Sequence, residues 1–270
     1  MAAESERPSG SLTVVGAGIR PGLHTTREAI RRIESADKVL YLLAEIAPVR
    51  WLDELNPSAE PLDDLYQPDR PFDEVYADIV DAILMHVRKP QDVCAVFYGH
   101  PSVFDRTSHD AVERARAEGF PARILPGITA EDCLYVDLEI DPGASGMQCF
   151  EATDFLVRRR IPSLTVPMIL WQVGTIGSRR TTGEVRRVGL EVLTERLTEL
   201  YGPEHELVVY EATPFPIGRP MIERCHVREL ADSGVTGLST LFVPAMSEAS
   251  VDAQVMALLG VEDRVDLAPA

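Results

Sequence analysis

Short apolar runs alternate with helix-spaced segments through the first half of the chain, and this alternation restricts the fold more than any other feature. Residues 12–15 (LTVV), 38–43 (KVLYLL), 92–98 (DVCAVFY) and 122–125 (ARIL) read as buried strands. Between them, Thr25 with Glu28 three residues on gives a capping-box signal ahead of Ala29, Ile30, Ile33 and Ala36. Phe72, Val75, Tyr76, Ile79, Val80, Ile83, Leu84 and Val87 recur at helical spacing and predict the clearest amphipathic helix. Further helices are expected at 107–118 and after Thr129. Within the proline-containing stretch 48–71, a short helix at 51–55 and a strand at 62–66 are expected. Strand–helix alternation needs crossover connections, so the sheet is parallel. Such α/β folds bind ligands at the carboxyl ends of their strands.

The second half follows the same logic with weaker signals. Strands are predicted at 166–173, 206–212 and 238–244, and a helix over 183–200 carrying Val185, Val188, Val192, Leu193, Leu197 and Leu200. Arg186 and Arg187 in its first turns oppose the helix dipole unless they reach acidic partners. The turn-rich segment 141–146 is expected to link the two halves, and VMALLG supplies a terminal helix. The expected organisation is a disordered N-terminus at 1–10, one α/β lobe at 11–128, a second at 129–255 and a tail at 256–270.

A net charge of −17 and a pI near 4.7 argue against a nucleic-acid binder, whose footprint is basic. Cys94, Cys133, Cys149 and Cys225 stand far apart with no C-x-x-C pair, which fits a reducing compartment and neither a disulfide framework nor a zinc site. MAAESERPSGS has no apolar segment behind it and is no signal peptide. No stretch approaches the roughly 20 apolar residues of a membrane helix. A cytoplasmic protein is the expectation.

Three features bear on chemistry. Gly16-Ala17-Gly18 after the first strand marks a tight turn, without the third glycine of a dinucleotide fingerprint. Phe97-Tyr98-Gly99-His100-Pro101 puts a phenol and an imidazole at a strand end. Tyr66 and Tyr76 flank a loop with Asp69, Arg70 and Asp73; a phenol with an ordinary pKa near 10 needs a cation to act as a base, and Arg70 is the nearest. Tyr76 fits equally well as a core residue of its helix. The six histidines lack metal-ligand spacing, so no metal is expected; G-x-S-x-G and P-loop patterns are absent.

SLTVVGAGI (11–19), VFYGHPSVF (96–104), ARILPGITAEDCLYVDLEIDP (122–142), FEATDFL (150–156), WQVG (171–174) and STLFVPAMSEA (239–249) together resemble the borosin-type peptide backbone α-N-methyltransferases, a branch of the tetrapyrrole-methylase superfamily. The likeness runs from about residue 10 to 250. It implies a two-lobed α/β fold, each lobe a mixed or parallel sheet with flanking helices, with S-adenosylmethionine in the cleft. By that resemblance Tyr98, His100, Val103, Phe104, Thr129, Ala130 and Gln172 contact the cofactor, and Gly16 and Gly18 lie on the substrate side. Tyr76 becomes the proton acceptor, Tyr66 and a guanidinium hold the amide oxygen, and Tyr98 orients the amide.

The resemblance is broken where its members carry a lysine and, two residues later, an arginine: here Arg70 and Phe72 occupy those positions. Arg70 is expected to substitute, since losing an oxyanion donor costs ~2.7–4 kcal/mol. Fused members carry their substrate as a C-terminal extension; the short 263–270 segment implies instead a split enzyme acting in trans on a separate precursor peptide, as a homodimer. The rival readings are methylation of a tetrapyrrole, a diphthamide precursor or RNA, and a catalytically silent relative that presents a peptide.

Overall fold

The computed structural model describes residues 10–43, 50–67, 69–179, 181 and 184–261. Most of the expected disordered N-terminus and most of the expected tail lie outside these residues. The chain divides into two compact units: one of residues 1–133, 179–182 and 212–219, the other of the remainder. The boundary drawn at 128/129 thus moves to 133/134, and two short segments of the second half fold with the first unit.

The first unit is built on five strands, β1 (Ser11–Gly16), β2 (Lys38–Leu42), β3 (Glu60–Pro61), β4 (Asp92–Phe97) and β5 (Ala122–Ile124), in the order β3-β2-β4-β1-β5. Every pair is parallel. Successive residues of a strand face opposite sides, and the core divides accordingly. Val14, Leu40 and Ala95 pack with Ile79, Val80 and Ile83 of the helix Phe72–Val87 and with Ala111 and Val112 of the helix Arg106–Ala117. Their neighbours Val15, Val39 and Cys94 pack with Ala29 and Ile33 of the helix Arg27–Ser35 and with Leu52 of the helix Arg50–Leu55. Both faces are covered, which is why these strands read as continuous apolar runs.

Two local expectations are corrected. Residues 62–66 form no strand: Asp63–Leu65 is a 3-10 turn. Pro61 has no N–H with which to continue the ladder, and Leu62 N donates to the Tyr41 carbonyl at 2.8 Å, ending the edge strand there. The cap of the first helix is Thr26, whose hydroxyl accepts from Ala29 N at 3.1 Å. Thr25 is buried and serves a tertiary role instead, donating to the Ala17 carbonyl at 2.9 Å and accepting from Gly22 N at 3.0 Å.

The second unit holds β6 (Gln148–Glu151), β7 (Met168–Trp171), β8 (Glu206–Glu211), β9 (Met221–His226) and β10 (Thr240–Val243), in the order β6-β7-β10-β8-β9. The β6–β7 pair is parallel and the others antiparallel. Leu170, Val209 and Leu241 pack against Leu190, Leu193 and Leu197 of the helix Arg187–Tyr201 and Phe155 of the helix Ala152–Val157. Strands β6 and β9 escaped the sequence reading because both are half-solvated edges whose residues show neither an apolar run nor a clean alternation. The helix begins at Arg187 rather than 183. Arg187 meets its required acidic partners, Asp232 at 2.6 Å and Glu191 at 3.1 Å, while Arg186 donates to the Gly177 carbonyl at 2.6 Å.

Asn56 closes the end of the first helix. Its Nδ2 donates to the Ile33 and Ala36 carbonyls at 2.7 and 2.8 Å, and its Oδ1 accepts from Ser58 N at 2.9 Å. Replacing it strands buried carbonyls, so Asn56→Ala should lose about 1–3 kcal/mol in urea unfolding. Met85→Ala, at an exposed site on the long helix, should stay within about 0.5 kcal/mol.

Candidate active site

The neighbouring strands β1 and β4 end in glycine turns that lock together. Gly18 N donates to the Gly99 carbonyl and Gly99 N to the Gly18 carbonyl, each at 3.1 Å. Both glycines have φ near +70°, a region that a side chain disfavours. A Cβ on Gly16 would lie 2.3 Å from the Gly99 carbonyl oxygen, and one on Gly127, after β5, 3.2 Å from the same atom. Backbone therefore packs on backbone where three parallel strands end. The loop after β4 folds back on itself: His100 Nδ1 accepts from Ser102 N at 3.0 Å, and Val103 N donates to the His100 carbonyl at 3.1 Å. It delivers Phe104 at φ +53°, costly for an aromatic residue and the kind of strain kept at functional sites.

Beside this loop the first unit carries a cavity of about 560 Å³. Tyr66, from the end of the 3-10 turn, Tyr76, from the long helix, and Tyr98, from the end of β4, all line it, with Val103 and Phe104. Asp63, Asp105 and Arg106 complete its polar lining. The Tyr66 and Tyr76 rings lie 6.5 Å apart and tilted by 57°, and Phe72 stacks on Tyr76 at 5.7 Å.

Burial sets the character of the phenols. It pushes Tyr98 up to about 12. Tyr66, 37% exposed, is raised further, first by desolvation and then by its neighbour Tyr76. Tyr76 is raised by desolvation as well, but Tyr66 pulls it back; Asp105 and Asp73 push it up and Arg106 draws it down. The two rings thus act on each other with opposite sign, and both phenols stay protonated at neutral pH. Asp105, itself raised by burial, accepts from Thr107 Oγ1 at 2.6 Å and Ser108 N at 3.1 Å and caps the helix Arg106–Ala117.

The remaining predicted residues are distributed as follows. Arg70 does not line the cavity: its guanidinium lies 2.9 Å from Asp78 and 3.7 Å from Glu74. Those acids share one helix face, whereas Tyr76 stands roughly 200° around the helix from Glu74. Thr129 caps the helix Ala130–Asp137, accepting from Glu131 N at 2.9 Å while Asp132 accepts from Thr129 N at 2.7 Å. His100 and Thr129 sit on the strand-end loops and Ala130 opens the helix after Thr129; none of the three lines the tyrosine cavity. Gln172 belongs to the second unit, directly after β7, at φ +59°. Sequence reasoning missed Asp105 and Arg106, although they directly follow the VFYGHPSVF segment. Among the described residues no cluster could hold a metal ion, and no helix is long and apolar enough to cross a membrane.

A doubly covered parallel sheet with a phenol-lined cavity at its strand ends is the α/β architecture in which ligands are bound at the carboxyl ends of the strands. Residues 11–230 match the tetrapyrrole (corrin/porphyrin) methylases, and the chain belongs to that family. Within it, the chain is a member of the borosin methyltransferases. It is 37% identical over 249 residues to a methyltransferase/ribosomally synthesized cyclic peptide gymnopeptides precursor of Gymnopus fusipes, covering 90% of this chain and 59% of that protein. Identity is 35% over 277 residues to the omphalotin A precursor of Omphalotus olearius, covering 100% of this chain and 64% of that one. It is 34% over 276 residues to a type I borosin cyclic peptide precursor of Coprinopsis marcescibilis, covering 98% and 71%. The chain spans about three fifths of the length of the first two. Among solved structures, a uroporphyrin-III C-methyltransferase from Thermus thermophilus shares the fold at TM-score 0.62 and 20% identity, covering 95% of this chain and 99% of that one. A cobalt precorrin-4 methyltransferase does so at TM-score 0.64 and 16% identity, covering 88% and 96%.

The raised phenols fix a pH dependence. A group held protonated in the folded state stabilises fully below its unfolded pKa, and that stability is lost as pH rises through the folded value. Unfolding free energy should therefore be insensitive to Tyr98 below about pH 10 and fall as pH climbs toward 12. Urea melts across this range should show a shallower alkaline decline in Tyr98→Phe.

Proposed function

We propose that this chain transfers methyl groups from S-adenosylmethionine to backbone amide nitrogens of a peptide supplied as a separate chain. The observation that carries the reading is the convergence of Tyr66, Tyr76 and Tyr98 on one cavity at the strand ends. The relatives, whose names join a methyltransferase to a ribosomally synthesized peptide, support the peptide as substrate.

The lining suits the donor. Aromatic faces attract a cation, the carboxylates of Asp63 and Asp105 add negative charge, and the charge of Arg106 is countered by Asp73 and Asp110. Tyr98, Val103 and Phe104 would hold it from the cavity, with His100, Thr129, Ala130 and Gln172 assigned by family resemblance. When bound, it supplies an electrophilic methyl group on a positively charged sulfur that leaves as a neutral thioether.

The chain's own residues must make an amide nitrogen reactive, since its lone pair is delocalised into the carbonyl. Tyr76, as the phenolate, takes the amide proton. Tyr66 holds that oxygen in place through its hydrogen bond before the transfer, and Tyr98 orients the peptide group. Charge left by the proton moves onto the carbonyl oxygen, where a fixed donor lowers the barrier. Phe72 on the Tyr76 ring excludes water from one side of it.

Incubating the chain with donor and a separate apolar peptide, and reading the peptide's mass, tests this. Tyr76→Phe should lower kcat by about 10²–10⁴ while donor affinity by calorimetry is retained. Turnover should rise with pH through the alkaline range, because the raised Tyr76 phenol ionises there. Wild-type turnover in Tyr76→Phe would refute the assignment; peptide binding without any methyl gain would favour a silent presenting protein.

A further inference from the structure

We propose that Arg106 is the guanidinium of this site: it holds the carbonyl oxygen of the bound amide and steadies the charge on Tyr76. The inference rests on the reading of the cavity as a peptide-methylating site. Arg106 is the one Lys or Arg among the described residues that line the tyrosine cavity. The two positions that the family resemblance would use cannot serve. Position 72 is a phenylalanine whose ring lies against Tyr76, and Arg70 is held by Asp78 and Glu74 on another face of the helix.

The helix itself explains how Arg106 reaches the site. Asp73 stands three residues before Tyr76, so the two share a face. Arg106 Nη1 meets Asp73 at 3.2 Å, which draws the guanidinium over the face that presents Tyr76. Its Nε meets Asp110, one turn further along its own helix, at 3.1 Å. A guanidinium has five N–H donors in a fixed fork. Two carboxylates held at Nη1 and Nε fix the plane of that fork and leave Nη2 for a substrate oxygen. Asp105, next in sequence, is half-buried beside the cavity as the helix cap, so the chain cannot shift there without breaking the cap.

Exposure decides when the charge matters. The Arg106 side chain is 65% exposed without substrate, so water screens it. A peptide laid over the cavity removes that water, and a desolvated cation acts far more strongly on a nearby anion. The groups acting on Tyr76 are Tyr66 from the 3-10 turn, Asp73 from its own helix, and Asp105 and Arg106 from the loop and helix that follow β4. Of these, Arg106 alone is cationic.

Three variants test this. Arg106→Met should lower kcat by about 10²–10³ with donor affinity retained, as loss of one oxyanion donor does. Arg106→Lys should recover only part of that loss, since an ammonium lacks the planar fork. A larger loss in Arg70→Met than in Arg106→Met would overturn the assignment. A second measurement needs neither peptide nor donor: alkaline titration of ring-labelled tyrosine by NMR, with Tyr76 assigned through Tyr76→Phe. Its midpoint should move up in Arg106→Met and stay in place in Arg70→Met. An unmoved midpoint in Arg106→Met would overturn the inference. A shifted midpoint in a chain that methylates no peptide would retain Arg106 as the cation beside Tyr76 and reject the substrate reading instead.

Discussion

Gly18 and Gly99 exchange backbone hydrogen bonds at 3.1 Å, and that exchange fixes how β1 and β4 end and where the loop that follows Tyr98 starts. Parallel strands normally end in loops free to diverge. Here the missing side chains of Gly16 and Gly127 let two of those loops close on the Gly99 carbonyl. Tyr98 immediately precedes Gly99, so its phenol is fixed to the sheet rather than to a mobile loop. The segment after Gly99 must then turn back over the strand ends, and the left-handed Phe104 is where it does so. Strain at Phe104 is tolerated because the helix cap at Asp105 and the glycine lock hold the loop on both sides.

The second determinant is the asymmetry between two adjacent phenols. Desolvation raises both phenols, yet each acts on the other with opposite sign: Tyr76 raises Tyr66, whereas Tyr66 lowers Tyr76. Carboxylates at Asp73 and Asp105 oppose ionisation of Tyr76, so the site at rest keeps its proton.

The sequence made the scaffold legible where burial is uniform and obscured it where burial is partial. Strands β1, β2 and β4 are buried on both faces and stood out as apolar runs; β6 and β9, half-solvated edges, did not. The strand expected at 62–66 failed because Pro61 ends the ladder and Leu62-Asp63-Asp64-Leu65-Tyr66 lacks the alternation that would extend it. Thr25 and Thr26 show the limit of local signals: both are competent caps, and the tertiary partners Ala17 and Gly22 decide which hydroxyl is left to cap. The tyrosines could be found because they sit in dense motifs. Arg106 could not, since its relevance depends on a helix face supplied by residues some thirty positions away.

That difference also explains why Arg70, near Tyr76 in sequence, does not line the cavity. Arg70 is six residues from Tyr76 and looks close on paper. In a helix the angular position decides instead, and the acids at 74 and 78 form a strip that captures any arginine entering from the N-terminal side. Asp73 lies one step round from that strip and faces Arg106. Two adjacent acids at the helix start thus sort two arginines to different faces. Phe72 stacks on the Tyr76 ring without lining the cavity, whereas Arg106, held by Asp73 from the same helix, lines the cavity with that phenol.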